Sequence, residues 1–132
     1  MTVATQADYT LRVDPQHRAV VVVLSGVVDA EIGIRVTTEA RTAASRQNFN
    51  VLYDVRGADV SAVRNADVFW WARNIPELTT GEAKRVRAAV IHSAAQRELA
   101  EFWENTYRNM GLQARAFDNE DAALRWLSPP PS

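Results

Sequence analysis

Six consecutive apolar residues, Ala19-Val20-Val21-Val22-Val23-Leu24, constrain the fold of this chain more than any other stretch. Strand side chains alternate between two faces, so a run that is apolar at every position predicts a central strand covered on both sides. Before it, Tyr9, Leu11 and Val13 alternate with Thr10, Arg12 and Asp14, the pattern of a half-buried strand. Asp14-Pro15-Gln16-His17 supplies turn chemistry between the two, which makes them a hairpin.

The next apolar run, Val51-Leu52-Tyr53 after Asn50, leads into Asp54-Val55-Arg56-Gly57. It reads as a buried strand that ends at Asp54, with Gly57 letting the chain turn. Ligands of open α/β sheets meet the carboxyl ends of the strands, and these four residues would sit there. Val86 to Ile91 predicts another buried strand ending at His92, and Gln113 to Phe117 a short edge strand.

Helical periodicity fills the intervals. Ser25-Gly26 should break the valine strand, and Asp29 can cap a helix with Ile32, Val36, Ala40 and Ala43 on one side and Arg35, Glu39 and Arg46 on the other. Gly33 weakens that helix by about 1 kcal/mol relative to Ala, and a packing requirement against the sheet accounts for it. A loop spans Ala58 to Arg64. Asn65 then caps a helix carrying Val68, Phe69, Trp70, Trp71, Ala72 and Ile75, stopped by Pro76. Glu77 to Lys84 reads as a polar loop. Ser93 and Gln96 have capping-box spacing ahead of a helix with Leu99, Phe102, Trp103, Thr106 and Met110, and Gly111 suits a left-handed residue at its end. Asp118 or Asn119 caps a last helix through Leu127, with Ala123, Trp126 and Leu127 apolar.

The order is therefore ββαβαβαβα: one α/β domain over residues 1–132, with flexible ends at 1–8 and 128–132. An opening hairpin joins a mixed, mainly parallel sheet, with four helices. The net charge of −1 provides no drive towards nucleic acid or an anionic membrane surface. No apolar run approaches the roughly 20 residues of a membrane span. The absence of cysteine fits a reducing, cytoplasmic setting and excludes thiolate chemistry. Two histidines, His17 and His92, lack metal-site spacing, and no dinucleotide or P-loop glycine pattern occurs, so neither metal nor cofactor is expected.

Two segments carry a resemblance. The strand entering Asp54-Val55-Arg56-Gly57 is similar to the segment where anti-sigma-factor antagonists carry Asp-x-Ser-Gly. Phe117-Asp118-Asn119-Glu120-Asp121-Ala122-Ala123-Leu124-Arg125-Trp126-Leu127 looks like the closing stretch of SpoIIAA-like proteins. With the element order, they make the chain resemble the STAS domain, nearest its SpoIIAA-like branch. The resemblance implies a compact, non-enzymatic interaction or signalling module. Antagonists of this kind are switched by phosphorylation of the serine before the glycine. That position is Arg56 here, which accepts no phosphate and has the opposite charge to phosphoserine. The likeness of SpoIIAA-like proteins to lipid carriers also leaves a small apolar ligand open.

The candidate binding residues are Asp54, Arg56, Ser61, Phe69, Trp70, Trp71 and Arg73. Arg56 beside Asp54 could bind an anion or form a local ion pair, and Ser61 is a loop serine near the regulatory position. Asp54 and His92, both at expected strand ends, could act as acid and base. The plainer reading has Asp54 accepting bonds from loop amides and His92 leading into a helix cap. Val68, Ala72 and Ile75 define one face of the second helix. Core packing can absorb Phe69 and Trp71 on its flanks, but Trp70 lies opposite, with Ala66 and Arg73. Trp70 is therefore expected to anchor a protein partner, most simply in a homodimer, unless the Ala58–Arg64 or Thr79–Lys84 loop covers it. The alternative is a small apolar ligand held between helices and sheet near Trp70, Trp71 and Trp103; an enzyme using Asp54 and His92 ranks third.

Overall fold

The valine run lies second in a five-stranded sheet whose spatial order is the order of the chain. The structure, a computed structural model, describes residues 8–128. The elements are β1 (Asp8–Asp14), β2 (Ala19–Val27), α1 (Ala30–Gln47), β3 (Asn50–Asp59), α2 (Asn65–Asn74), β4 (Arg87–Ile91), α3 (Arg97–Asn109), β5 (Gln113–Phe117) and α4 (Glu120–Leu127). This is the expected ββαβαβαβα order. β1 pairs antiparallel with β2, and the remaining pairings are parallel. Of the ends expected to be flexible, Asp8 begins β1 and Ser128 caps α4; the others lie outside the described residues.

Parallel neighbours need a crossover, and crossovers are right-handed with few exceptions. Here they all advance in the same direction, β2 to β3 to β4 to β5. A fixed hand combined with a fixed direction sends every connecting helix to one face. α1, α2 and α3 accordingly pack on the Val20, Val22, Val51, Tyr53, Ala88 and Val90 side. Only α4, which follows the last strand, covers Ala19, Val21, Leu52, Ala89 and Ile91 on the other side. The valine run is thus buried on both faces up to Val22, whereas Val23 emerges beyond the reach of α4 and is exposed.

Local chemistry sets most boundaries, though Asn65, expected to cap α2, is its first helical residue: Arg64 is the N-cap, and its amide donates to the Asp67 carboxylate at 2.9 Å. The Asp29 carboxylate accepts the Ile32 amide at 2.9 Å, and Asn48 closes α1 in the left-handed region at φ 58°. Asn119 rather than Asp118 caps α4, accepting from Ala122 at 2.8 Å. Gly111 has φ 85°, a conformation that costs other residues more. Gly33 is indeed a packing residue, but its neighbour is a helix, not the sheet. A Cβ there would overlap the Trp71 indole, so the missing side chain lets α2 press against α1. The polar loop after Pro76 contains two short 3-10 turns that bury Leu78 and Ala83.

Two strand ends differ from expectation. β2 runs through Ser25-Gly26 to Val27, and β3 runs past Asp54 to Asp59. Val23 pairs with Asp54, but Ser25 pairs with Gly57, so β3 has one extra residue there. That is a β-bulge. The added residue reverses the alternation, so even-numbered Ala58 joins the same core as odd-numbered Val51 and Tyr53.

The second face is fastened by Asn50. Its amide nitrogen donates to the Leu127 carbonyl at 2.9 Å, and its oxygen accepts the Arg87 amide at 2.9 Å. Arg87 in turn donates to the Trp126 carbonyl at 2.7 Å, so two carbonyls at the end of α4 are held by residues at the starts of β3 and β4. Replacing Asn50 with Ala unpairs the Arg87 amide and the Leu127 carbonyl together. It should lower unfolding free energy by about 2 kcal/mol in urea titration, with no change in helix content by circular dichroism.

Candidate functional site

Asp54 and Arg56, two residues apart on β3 and therefore on one face, stand side by side at the bulge. The Arg56 guanidinium grips the carboxylate with both prongs, Nε to Oδ1 at 3.0 Å and Nη2 to Oδ2 at 2.8 Å, while its amide donates to Oδ1 at 3.2 Å. Those Arg56 side-chain hydrogen bonds hold the Asp54 carboxyl below the usual range, against the opposing effect of partial burial. Asp54 does accept backbone amide bonding, from Arg56, in keeping with the plainer reading. Arg56, being occupied, offers an anion only what remains of its half-exposed guanidinium.

Asp54 and His92 do not form an acid–base pair. Asp54 registers with Ile91 and takes the α4 face with Leu52. His92 follows Ile91 by one residue, so alternation turns it to the opposite face, where it is buried and its Nδ1 lies 2.9 Å from the Ser93 carbonyl. Neighbouring backbone positions therefore carry side chains that cannot meet through the sheet. Among the described residues, no group of His, Asp and Glu side chains is placed to hold a metal ion.

Ser61 lies in the loop between β3 and α2, exposed. Its hydroxyl donates to the Asp59 carboxylate at 2.6 Å, and its amide donates to the same oxygen at 2.9 Å, a local turn. It shares a shallow polar groove with Arg56, Arg64, Asn65, Ser93 and Glu98 at the carboxyl ends of β3 and β4.

Gln96 carries a role beyond the sequence reading. Its oxygen accepts the Ser93 amide at 2.9 Å, as capping-box spacing predicts. Its amide nitrogen also donates to the Val55 and Ala58 carbonyls at 2.7 and 2.8 Å. Both carbonyls lie beyond Asp54, the last β3 residue that pairs with β4. A buried side chain at the entry to α3 thus ties down β3 on both sides of the bulge.

On α2 the aromatic triplet divides. Trp71 is buried, with Val68, Ala72 and Ile75. Trp70 is 50% exposed and uncovered, so neither flanking loop folds over it. Phe69, which core packing was expected to absorb, is 48% exposed. The reason is angular: with Trp71 inside, the buried arc shifts towards it, and Phe69 falls on the outer side. Arg73, one turn on, lays its guanidinium 3.6 Å from the Phe69 ring centroid. Phe69, Trp70 and Arg73 therefore form one outward surface.

Behind α2 lies a separate apolar cavity of about 110 Å³ between α1, α2, α3 and the sheet. Val36, Tyr53, Val68, Trp71, Leu99 and Trp103 line it. Two of the three tryptophans expected beside a ligand are there; Trp70 instead points outward.

No family model matches this chain, and no curated protein matches it. Among solved structures it is similar to an uncharacterised DUF3478-family protein with a SpoIIAA-like fold from Shewanella loihica PV-4. The two share 14% identity, and the match covers 96% of this chain and 98% of that one at a TM-score of 0.58. The chain has the SpoIIAA-like fold that its sequence led us to expect; at this identity the likeness extends to the fold alone.

The clamp and the ion pair should separate in energy. Gln96→Leu unpairs buried groups on three residues and should cost about 3 kcal/mol of unfolding free energy. Arg56→Ala removes a half-exposed pair and should cost under about 1 kcal/mol. Arg56→Ala should also raise the Asp54 pKa towards the ordinary aspartate range, read by NMR titration of the carboxyl carbon. A lowered carboxyl pKa stabilises the fold above that ordinary value. The benefit is lost as pH falls through the lowered folded-state pKa, so the wild-type advantage over Arg56→Ala should vanish in acid.

Proposed function

We propose that this chain, an α/β module with a SpoIIAA-like fold, acts as a non-enzymatic interaction module that docks a protein partner, most simply a second copy, through the outer face of α2. The observation carrying this reading is the adjacent, uncovered pair Phe69 and Trp70, each about half exposed, with Arg73 stacked on the first. Tryptophan and arginine are the residue types most enriched at the energetic centres of interfaces. An exposed indole gains little in water, whereas each aromatic ring carries on the order of 200 Å² that a partner can cover. A helix face also suits a two-fold contact, in which the same residues meet across the axis. Control by phosphate at the position before Gly57 is absent from this reading, since Arg56 stands there and is paired with Asp54. The setting we assign is the cytoplasm, in keeping with a chain free of cysteine.

A second reading rests on a different observation, the 110 Å³ apolar cavity. It is smaller than the roughly 300 Å³ of drug-sized sites and close to the roughly 150 Å³ that admits a benzene ring. The ligand it suits is a small apolar molecule, carried or sensed.

Trp70→Ala tests the first reading by light scattering and thermal unfolding. The expected result is a wild-type dimer that the substitution converts to a folded monomer with a melting temperature within about 2 °C of the wild-type monomer's. A monomeric wild type that also retains no protein from its native lysate would sink the reading. So would a mutant that stays dimeric but melts much earlier.

A further inference from the structure

Among the described residues, buried side-chain polar atoms without a hydrogen bond belong to two residues, Trp71 through Nε1 and Arg41 through Nε and Nη2. The indole is a neutral donor, whereas the guanidinium is a charge. Arg41 is only 3% exposed, its Nη1 donates to the Ala83 carbonyl at 3.3 Å, and the Tyr53 hydroxyl lies against the same group. Burial pushes the Tyr53 phenol up, so it stays neutral. No carboxylate among the described residues comes within ion-pair distance of Arg41. A buried cation answered only by neutral groups is among the most costly features a fold can hold.

Arg41 lines a surface groove of about 280 Å³ between the later turns of α1 and the two short 3-10 turns that follow α2. Ala83, whose carbonyl takes Nη1, lines the same groove, so the guanidinium lies at its floor. Arg46, Glu77 and Glu82 line it as well. The groove therefore gathers two cations and two carboxylates, yet no ion pair joins any two of them. Glu82 instead accepts from the Ser45 hydroxyl at 2.7 Å. An anion alone would answer Arg41 but meet two carboxylates of its own sign. A cation alone would suit the carboxylates but add to the buried positive charge. A molecule that carries both signs meets neither objection.

We propose that the groove binds a small amino acid as its zwitterion, with the carboxylate on Arg41 and the ammonium between Glu77 and Glu82. An ionised carboxylate only accepts hydrogen bonds, which suits the guanidinium, and an ammonium only donates, which suits the two glutamates. The Ser45 and Thr80 hydroxyls, also in the lining, can turn to serve either end. The volume lies near the roughly 300 Å³ at which small-molecule pockets begin, which limits the ligand to a short side chain. The site is separate from the outer face of α2 and from the apolar cavity, which none of these residues lines.

The test titrates L-alanine, propionate and ethylamine into the full chain, followed in 1H–15N NMR spectra. Propionate lacks the ammonium and ethylamine lacks the carboxylate. Alanine should bind with a Kd on the order of 1 mM, at least about tenfold tighter than either, and should move the amides of Ser45, Thr80 and Ala83. Glu77→Gln should weaken alanine at least about fivefold and strengthen propionate, which then meets one carboxylate fewer. Arg41→Gln should abolish alanine binding. Equal affinity for alanine and propionate would overturn the ammonium contact and the proposal with it. So would shifts confined to residues outside the groove, or no response to alanine at about 50 mM. An Arg41→Gln protein that binds alanine as tightly as the wild type would overturn the role of Arg41. If Arg41→Gln does not fold, the order of the three ligands and the Glu77→Gln result decide the matter.

Discussion

The handedness of a parallel crossover governs this molecule. Each link from β2 to β5 moves one strand in the same direction, so each must place its helix on the same side of the sheet. Three helices crowd one face and a single short one covers the other. The crowding has a chemical result. Helices on one face must pack on one another as well as on strands, and the imperfect fit between α1, α2 and α3 leaves the apolar cavity. The same rule removes the crevice that doubly wound sheets use. A switch point forms where crossover helices leave for opposite faces, and no such divergence occurs here. A shallow polar groove lies at the carboxyl ends of β3 and β4.

Within that frame, the β3 bulge decides which residues meet. One inserted residue returns Ala58 to the core, and the Asp54–Arg56 ion pair lies beside it on the other face. Beyond Asp54 the strand has no pairing with β4, and the chain answers with Gln96, whose two ends serve a helix start and a strand carbonyl pair. Polar satisfaction is otherwise thorough enough that the Arg41 and Trp71 donors stand out against it.

The elements were legible in the sequence because their signals are local. Asp29, Ser93 with Gln96, and Asn119 each cap where their spacing says, and Gly111 takes the left-handed conformation expected of it. The order ββαβαβαβα follows from periodicity alone. What depends on a partner distant in sequence was not legible. Asp54-Val55-Arg56-Gly57 carries the residues of a strand end, and only the register with Val23 and Ser25 reveals a bulge. Asp54 and His92 looked paired because they are adjacent in register, but a one-residue offset sends them to opposite faces. Phe69 left the core because Trp71 took the flank, a choice made possible by Gly33 on another helix. Arg41 resembles any helix-surface arginine until Ala83, 42 residues on, lies beside it.

The fastening of α4 has a consequence for the order in which the protein is made. Asn50 waits for a carbonyl 77 residues later in the chain. Until residues 120–127 have left the ribosome, Ala19, Val21, Leu52, Ala89 and Ile91 form a bare apolar sheet face on a nascent chain whose other face can already be packed. At roughly 5–20 residues per second of synthesis, the interval from β4 to α4 lasts seconds, long compared with the microseconds to milliseconds of helix formation and collapse. During that interval a chaperone groove or another nascent sheet has access to the surface that α4 later closes.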